Sequence, residues 1–211
     1  MVMPKETFFN LSEDKRERII DAAINEFSIR LYHKARITAI ADNAGIAKGS
    51  FYQYFQNKKD LFKYIIELIV NKKLEYINND MLKNKEKYSF FQLLREIYLS
   101  GIRFAKDNPR LLSIGNILIN NKELQNEIWG EQIDKSSEFY FQLLEEGLAK
   151  GELDPSIDIE LVSILLTGLN YSLIDIVYKD NDTIDPDNLA EEMETIDKML
   201  YFIENGIKKR E

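Results

Sequence analysis

The sequence predicts an all-α protein in two parts: a small N-terminal three-helix head joined through a long helix to a larger C-terminal helical body. Three observations lead there. Apolar residues recur at three- and four-residue steps without sustained two-residue alternation, which is the period of amphipathic helices rather than strands. Only four prolines occur, and Pro109, Pro155 and Pro186 fall where helices should start or stop. The net charge of −8 is unevenly shared: residues 1–72 carry 12 Lys/Arg against 9 Asp/Glu, and residues 73–211 carry 16 against 27. A mildly basic head on an acidic body suits a chain that offers one end to phosphates.

The first helix should begin after Ser12, a good N-cap residue, with Glu13 and Asp14 favourable to its dipole and Ile20, Ala23, Ile24 and Phe27 as its inward stripe. A second helix carries Ile37, Ile40, Ala41 and Ala44 at helical spacing, and Gly45 follows where the chain must turn. A short third helix runs from about Ala47 to Phe55. Asn57 then caps a long fourth helix, with Asp60 at its third position. Five further helices are expected at about 89–106, 109–120, 122–150, 157–178 and 186–208. Gly151 closes one of them, and Pro186 opens another behind Asp185. The domain boundary falls inside the fourth helix, giving a head over 12–70 and a body over 71–211.

Several function classes are excluded. There is no cysteine, so neither disulfides nor thiolate chemistry is available. His33 is the only histidine, and no Cys or second His stands near it. No Gly-rich phosphate loop or nucleophile elbow occurs, so neither an enzyme nor a cofactor nor a metal site is expected. The longest apolar stretch, 157–178, is broken by Asp158, Glu160, Asn170 and Asp175 and should not span a membrane. The opening MVMPKETFFNLSEDKRER lacks an apolar signal core, and a cytoplasmic location is expected.

Function concentrates in residues 37–62, ITAIADNAGIAKGSFYQYFQNKKDLF. Two short helices joined by a Gly-containing turn, over about 36–55, follow the helix-turn-helix plan. Ile46, Phe51 and Phe55 are placed to face the first two helices, which leaves Lys48, Ser50, Tyr52, Gln53 and Tyr54 less committed to the core. Gly49 near a helix start costs up to about 1 kcal/mol relative to Ala. A surface that must approach the backbone closely, such as DNA in the major groove, explains that choice.

This stretch resembles the helix-turn-helix of the TetR/AcrR family of transcriptional regulators. Ile40-Ala41, Ala44-Gly45, Lys48-Gly49-Ser50, Phe51-Tyr52, Tyr54-Phe55 and Asn57-Lys58 with Leu61 match in order and spacing. Upstream, Ile19-Ile20, Ala22-Ala23 and Phe27 resemble the family's first helix, and the likeness covers roughly residues 12–70. It implies DNA contacts from Lys48, Gly49, Ser50, Tyr52 and Lys58, with Gln53 or Tyr54 beside them. Lys58, at a helix N-terminus, would suit a phosphate. The chain departs from the family pattern at Leu31, Ala35-Arg36 and Ala47. Arg36 stands where a capping hydroxyl is usual and would reach a phosphate by its guanidinium, with Thr38 supplying a hydroxyl contact.

The resemblance also implies a ligand-responsive repressor that binds a near-palindromic double-stranded operator as a homodimer. A DNA-bound protein that recruits another protein through its acidic body is the alternative. Aromatic residues Phe91, Tyr98, Phe104, Trp129, Phe139, Tyr140 and Tyr171 would line a cavity for a small, mainly apolar effector. The body's acidity tilts that expectation toward a neutral or cationic lipophile. The spacing Leu189, Met193, Ile196, Leu200, Ile203, Ile207 lets one stripe face the body of its own subunit while residues beside it join helix 157–178 across a twofold, and Leu165, Leu169, Leu189, Met193, Ile196, Leu200 and Ile203 mark the expected dimer interface. Asn170 and Asp175, in a helix apolar nearly all round, would face a ligand or the partner subunit.

Overall fold

A computed structural model describes residues 4–129, 135–177 and 189–209, all helices and connections apart from one isolated bridge. The helices in chain order are α1 (Glu6–Phe9), α2 (Glu13–Ile29), α3 (Ile37–Asn43), α4 (Lys48–Tyr54), α5 (Lys58–Glu75), α6 (Asn79–Lys83), α7 (Phe90–Asp107), α8 (Pro109–Ile119), α9 (Lys122–Trp129), α10 (Lys135–Ala149), α11 (Ile159–Val177) and α12 (Leu189–Ile207). The stretch expected as one helix over 122–150 is thus described as two. No described helix is long and apolar enough to cross a membrane. Pro186 and Asp185, read as a helix start, lie outside the described residues.

The chain forms two compact units, Met1–Lys72 with Asn108–Glu131, and Lys73–Asp107 with Gln132–Glu211. The division between the units lies within α5, and α8 and α9 belong to the first unit. In that unit Arg110 Nη2 reaches Asp21 at 2.9 Å, Ser113 Oγ donates to the Ser28 carbonyl at 3.0 Å, and Tyr32 OH donates to Glu127 at 3.2 Å. The α2 stripe is turned by about one residue from the expected one. Ile19, Ala22, Ala23, Glu26 and Phe27 are buried, while Ile20 and Ile24 are half-buried at its flank. α1 was not expected; it places Phe8, fully buried, among Phe55, Tyr64 and Tyr54.

Turn chemistry explains where the helices stop. Gly45 (φ +66°) ends α3, with Ile46 N–H returning to the Ala41 carbonyl at 3.0 Å and Gly45 N–H to Asp42 at 3.2 Å. Gly151 (φ +70°) ends α10 in the same way, through Glu152 N–H to Gly147 at 3.1 Å and Gly151 N–H to Leu148 at 2.9 Å. Both are Schellman caps, where a residue bearing a Cβ would be strained. At the start of α5, Asn57 Oδ1 accepts Asp60 N–H at 2.9 Å, and Asp60 Oδ2 accepts Gln56 N–H at 3.2 Å. Ser12 occupies the expected N-cap position of α2, but its side chain makes no capping bond.

The second unit is organised around Phe90, Leu94, Tyr98, Tyr140, Leu144, Leu153, Leu166 and Ile196. The turn after α10 is tied to the end of α12, since Asp154 N–H donates to the Ile207 carbonyl at 2.9 Å and Lys209 N–H to Glu152 at 3.1 Å. A Cβ on Gly147 would lie 2.9 Å from Leu153 Cδ1 and 3.2 Å from Phe90 Cβ, so α7 and α10 meet there only because position 147 has no side chain. Gly147→Ala is expected to destabilise the chain by about 1–3 kcal/mol through overpacking. Gly115→Ala, where an added Cβ meets nothing within 4 Å, should leave stability unchanged or slightly raised. Thermal melts of the two variants against the parent check this, and equal melting temperatures for both would contradict the packing argument.

Candidate nucleic-acid interface

α3, the Gly45 turn and α4 bury one side of each helix. Ile40, Ala41 and Ala44 are at most 1% exposed, and Phe51 and Phe55 likewise. With 3.6 residues per turn, burying Phe51, Tyr54 and Phe55 fixes which residues point away. Lys48, Gly49, Tyr52 and Gln53 are exposed and Ser50 is half-buried. Arg36 and Thr38 are exposed at the start of α3. A Cβ built on Gly49 meets nothing within 4 Å, so nothing in the described chain requires glycine there. The outward face therefore offers a cation, a hydroxyl, a phenol, an amide and a bare stretch of backbone, the groups that contact phosphates and base edges.

Two expected contacts are corrected. Tyr54 is only 5% exposed; its ring packs near Phe8, with Lys15 Nζ 5.9 Å from its centroid, so it belongs to the core. Lys58 turns inward. Its ammonium donates to the carbonyls of Tyr32 at 2.7 Å, Ala35 at 3.0 Å and His33 at 3.3 Å, and sits 4.6 Å from the centroid of the Tyr32 ring. All three of its donors serve the 3₁₀ turn that leads into α3. Burial lowers the Lys58 pKa, with the Glu127 and Glu26 carboxylates opposing that shift. Burial, reinforced by Glu127, raises the Tyr32 phenol well above its usual value.

Glu26 answers the question raised by Arg36 at a capping position. No side chain caps α3 from Arg36, and instead the buried Glu26 carboxylate of α2 accepts the Arg36 N–H at 2.9 Å. Glu26 also meets Arg30 at 3.4 Å. The only legible sign of that role was an acid inside an otherwise apolar stripe. The segment Lys5–Phe9 was missed as well, and its sign was the adjacent pair Phe8-Phe9 ahead of Ser12.

In the second unit the expected cavity aromatics mostly fill the core. Tyr98, Phe104 and Tyr140 are at most 3% exposed. Tyr98 OH donates to the Leu166 carbonyl at 3.4 Å, and burial pushes its pKa up to about 12 against a hydrogen bond with Tyr140. Phe104 meets Tyr76 edge to face at 5.6 Å. Phe91 and Phe139 are half-buried against this core. Phe139 lines a cavity of about 30 Å³ with Ile77, Met81, Leu93, Ile97 and Leu143. The side chains of Trp129, Tyr171, Asn170, Asp175 and Leu189 lie outside the described residues. No group of acids and His able to hold a metal occurs among the described residues.

The expected dimer stripe is also corrected. Ile196, Leu200 and Ile203 are buried in the core of their own chain, and Leu169 is half-buried against it. The faces left open carry Leu161, Ile164 and Leu165 on α11, each more than half exposed, and Met193, Tyr201 and Phe202 on α12. Among the described members of the expected set, Leu165 and Met193 are exposed. The α12 stripe was read one face away from its open side.

A helix-turn-helix whose second helix is buried along one side and polar along the other is the arrangement with which DNA-binding regulators enter the major groove. Residues 19–65 match the family model of bacterial regulatory proteins of the tetR family. A solved TetR family transcriptional regulator from Chloroflexus aurantiacus J-10-FL is 31% identical, with a TM-score of 0.69 over 99% of this chain and 100% of that one. The chain belongs to the TetR family. A probable acrEF/envCD operon repressor of Escherichia coli K12 is 27% identical over 72% of this chain and 71% of its own. The transcriptional regulator FadR from Bacillus subtilis, solved in complex with stearoyl-CoA, shares the fold with a TM-score of 0.62 at 22% identity, covering 85% of this chain and 96% of that one.

Lys58→Met should destabilise the chain by about 1–3 kcal/mol, because three carbonyls lose a charged donor. It should leave the slope of log affinity for DNA against log salt unchanged. A slope reduced by about one would instead mark a direct phosphate contact and contradict the inward placement.

Proposed function

We propose that this chain is a ligand-released repressor that works in the cytoplasm as a homodimer on a near-palindromic operator. The observation that carries the DNA half is the division of α4, with Phe51, Tyr54 and Phe55 buried and Lys48, Gly49, Tyr52 and Gln53 exposed. Lys48, Ser50, Tyr52, Gln53 and the Gly49 backbone read the major groove, and Arg36 and Thr38 hold the adjoining phosphates. The open apolar faces of α11 and α12 support the homodimer, since exposed Leu161, Ile164, Leu165, Tyr201 and Phe202 form surface that a partner would cover. Two heads then meet half-sites about one helical turn apart or a multiple of it.

The effector is a mainly apolar molecule with a polar end, held in the second unit. The small cavity beside Phe139 has an apolar wall edged by Lys85, Glu96 and Glu146. At about 30 Å³ it holds roughly one water molecule, whereas ligand sites run to some 300–1,000 Å³. An effector therefore has to part the helices that close it, and that displacement is what it trades against the DNA-bound arrangement. α5, which runs from Lys58 in the first unit to Glu75 in the second, is the transmitting element. The stearoyl-CoA held by the Bacillus subtilis relative is an acyl chain with a polar end, and it argues for such amphiphiles over neutral or cationic lipophiles.

The DNA half is tested with the duplex that the chain enriches from a random-sequence pool. Gly49→Val should keep the melting temperature within a few degrees and lose preference for that duplex over an unrelated one. Retained preference would defeat the placement of α4 in the groove. The effector half is tested by thermal-shift screening with fatty acids and acyl thioesters, followed by duplex titration. An effector must raise the melting temperature and weaken duplex binding, and the duplex must weaken effector binding by the same factor. Ligands that bind without changing duplex affinity would end the sensor reading.

A further inference from the structure

α4 has only seven residues, and an isolated helix of that length is marginal in water. Its N-cap, Ala47, contributes no side-chain bond. At its other end the last four carbonyls have no partners within the helix, and all four are nonetheless satisfied. Phe51 O accepts the Phe55 N–H at 2.9 Å. The other three bonds come from a segment 46 to 49 residues away in sequence. Lys5 N–H donates to Tyr54 O at 2.9 Å, the Lys5 ammonium donates to Tyr52 O at 2.8 Å, and the Thr7 hydroxyl donates to Gln53 O.

This segment is anchored independently of those bonds. Phe8 is fully buried, 5.0 Å from Phe55 and 5.6 Å from Tyr64 between ring centroids. Arg16 Nη1 donates to the Phe9 carbonyl at 2.7 Å and to Leu11 at 3.2 Å, which ties the far end of the segment to α2. Lys5 and Thr7 themselves are exposed. The ammonium also faces the negative end of the α4 dipole, where a cation is favourable.

We propose that Lys5–Phe9 is a positioning element of the DNA interface, with Lys5 and Thr7 acting as the C-terminal cap of α4. Tyr52 and Gln53 stand in the turn that the cap closes, so fraying of that turn displaces two of the outward side chains. Sub-ångström placement is what a recognition surface demands of its supporting residues. Lys5 and Thr7 act through α4 and do not themselves touch DNA. This inference rests on the reading of α4 as the DNA-reading helix.

The test uses the full chain carrying Lys5→Met with Thr7→Val, and separately Thr7→Ser. Affinity is measured for the duplex the parent selects and for an unrelated duplex, across a range of salt. Amide hydrogen exchange over residues 52–55 is followed in the DNA-free protein. In the double variant exchange should speed up, and affinity for the selected duplex should fall about tenfold, in keeping with one or two lost hydrogen bonds. Affinity for the unrelated duplex and the salt slope should stay as in the parent, and Thr7→Ser, which keeps the hydroxyl, should behave as the parent. A salt slope lowered by about one makes Lys5 a direct phosphate contact and overturns the proposal. Unchanged exchange overturns the cap, and faster exchange with unchanged affinity overturns the positioning role. Equal losses on both duplexes with a lowered melting temperature reduce the segment to an ordinary part of the fold. A parent that selects no duplex removes the DNA reading and the positioning role with it, while exchange still decides the cap.

Discussion

The outward face of α4, proposed above to meet DNA, depends on the burial of Phe51 and Phe55. The two rings lie 5.5 Å apart, Phe55 reaches Phe8 at 5.0 Å and Tyr64 at 6.2 Å, and both residues are at most 1% exposed. Each ring removes a large apolar area from water, so rotating α4 about its axis to present other residues would expose them again. In a helix of seven residues these two rings, with buried Tyr54 beside them, set the rotation, and the bonds from Lys5 and Thr7 hold its end. Its outward groups follow by periodicity from what the core holds, and they include no large aliphatic side chain.

Polar satisfaction completes what packing begins. The first unit joins short helices through tight turns, and such turns leave backbone groups without partners. Glu26 serves the N–H at the start of α3, Lys58 serves three carbonyls of the preceding turn, and Lys5 and Thr7 serve the end of α4. Two lysines and an acid that would pass for free surface charge are therefore tied to backbone groups of their own chain. Charge near the helix proposed to read DNA is a poor guide to contact with it, and the hydrogen-bond partner of each group decides its role.

The helical class, the position of the turn at Gly45 and the inward role of Phe51 and Phe55 were legible because they rest on local period and local turn chemistry. The rotation of α2 was misjudged by one residue because Ile20 and Ile24 are as apolar as Ile19 and Ala22, while Glu26, a buried acid, breaks the pattern a reader uses. Lys58 and Tyr54 were misplaced because both sit in a motif that names them, and only the fold shows their partners. On α12, Ile196, Leu200 and Ile203 form the most regular stripe and accordingly pack on their own chain, whereas the open side is marked by Tyr201 and Phe202, adjacent aromatics without a period. The place of α8 and α9 in the first unit depends on long-range burial of Leu111, Ile114, Leu118, Leu124 and Ile128, whose partners no local pattern encodes.

The absence of cysteine makes the central claim directly measurable. A single cysteine placed at exposed Gln56, just beyond α4, takes a DNA-cleaving iron chelate without competing thiols. The measurement is the cleavage pattern on the duplex selected by the parent chain, compared with that from a chelate at Leu165 on the open face of α11. The account predicts two compact clusters of cuts from position 56, related by the twofold axis of the duplex, and none above background from position 165. Scattered cuts from position 56, or equal cutting from both positions, would contradict the claim that α4 meets DNA.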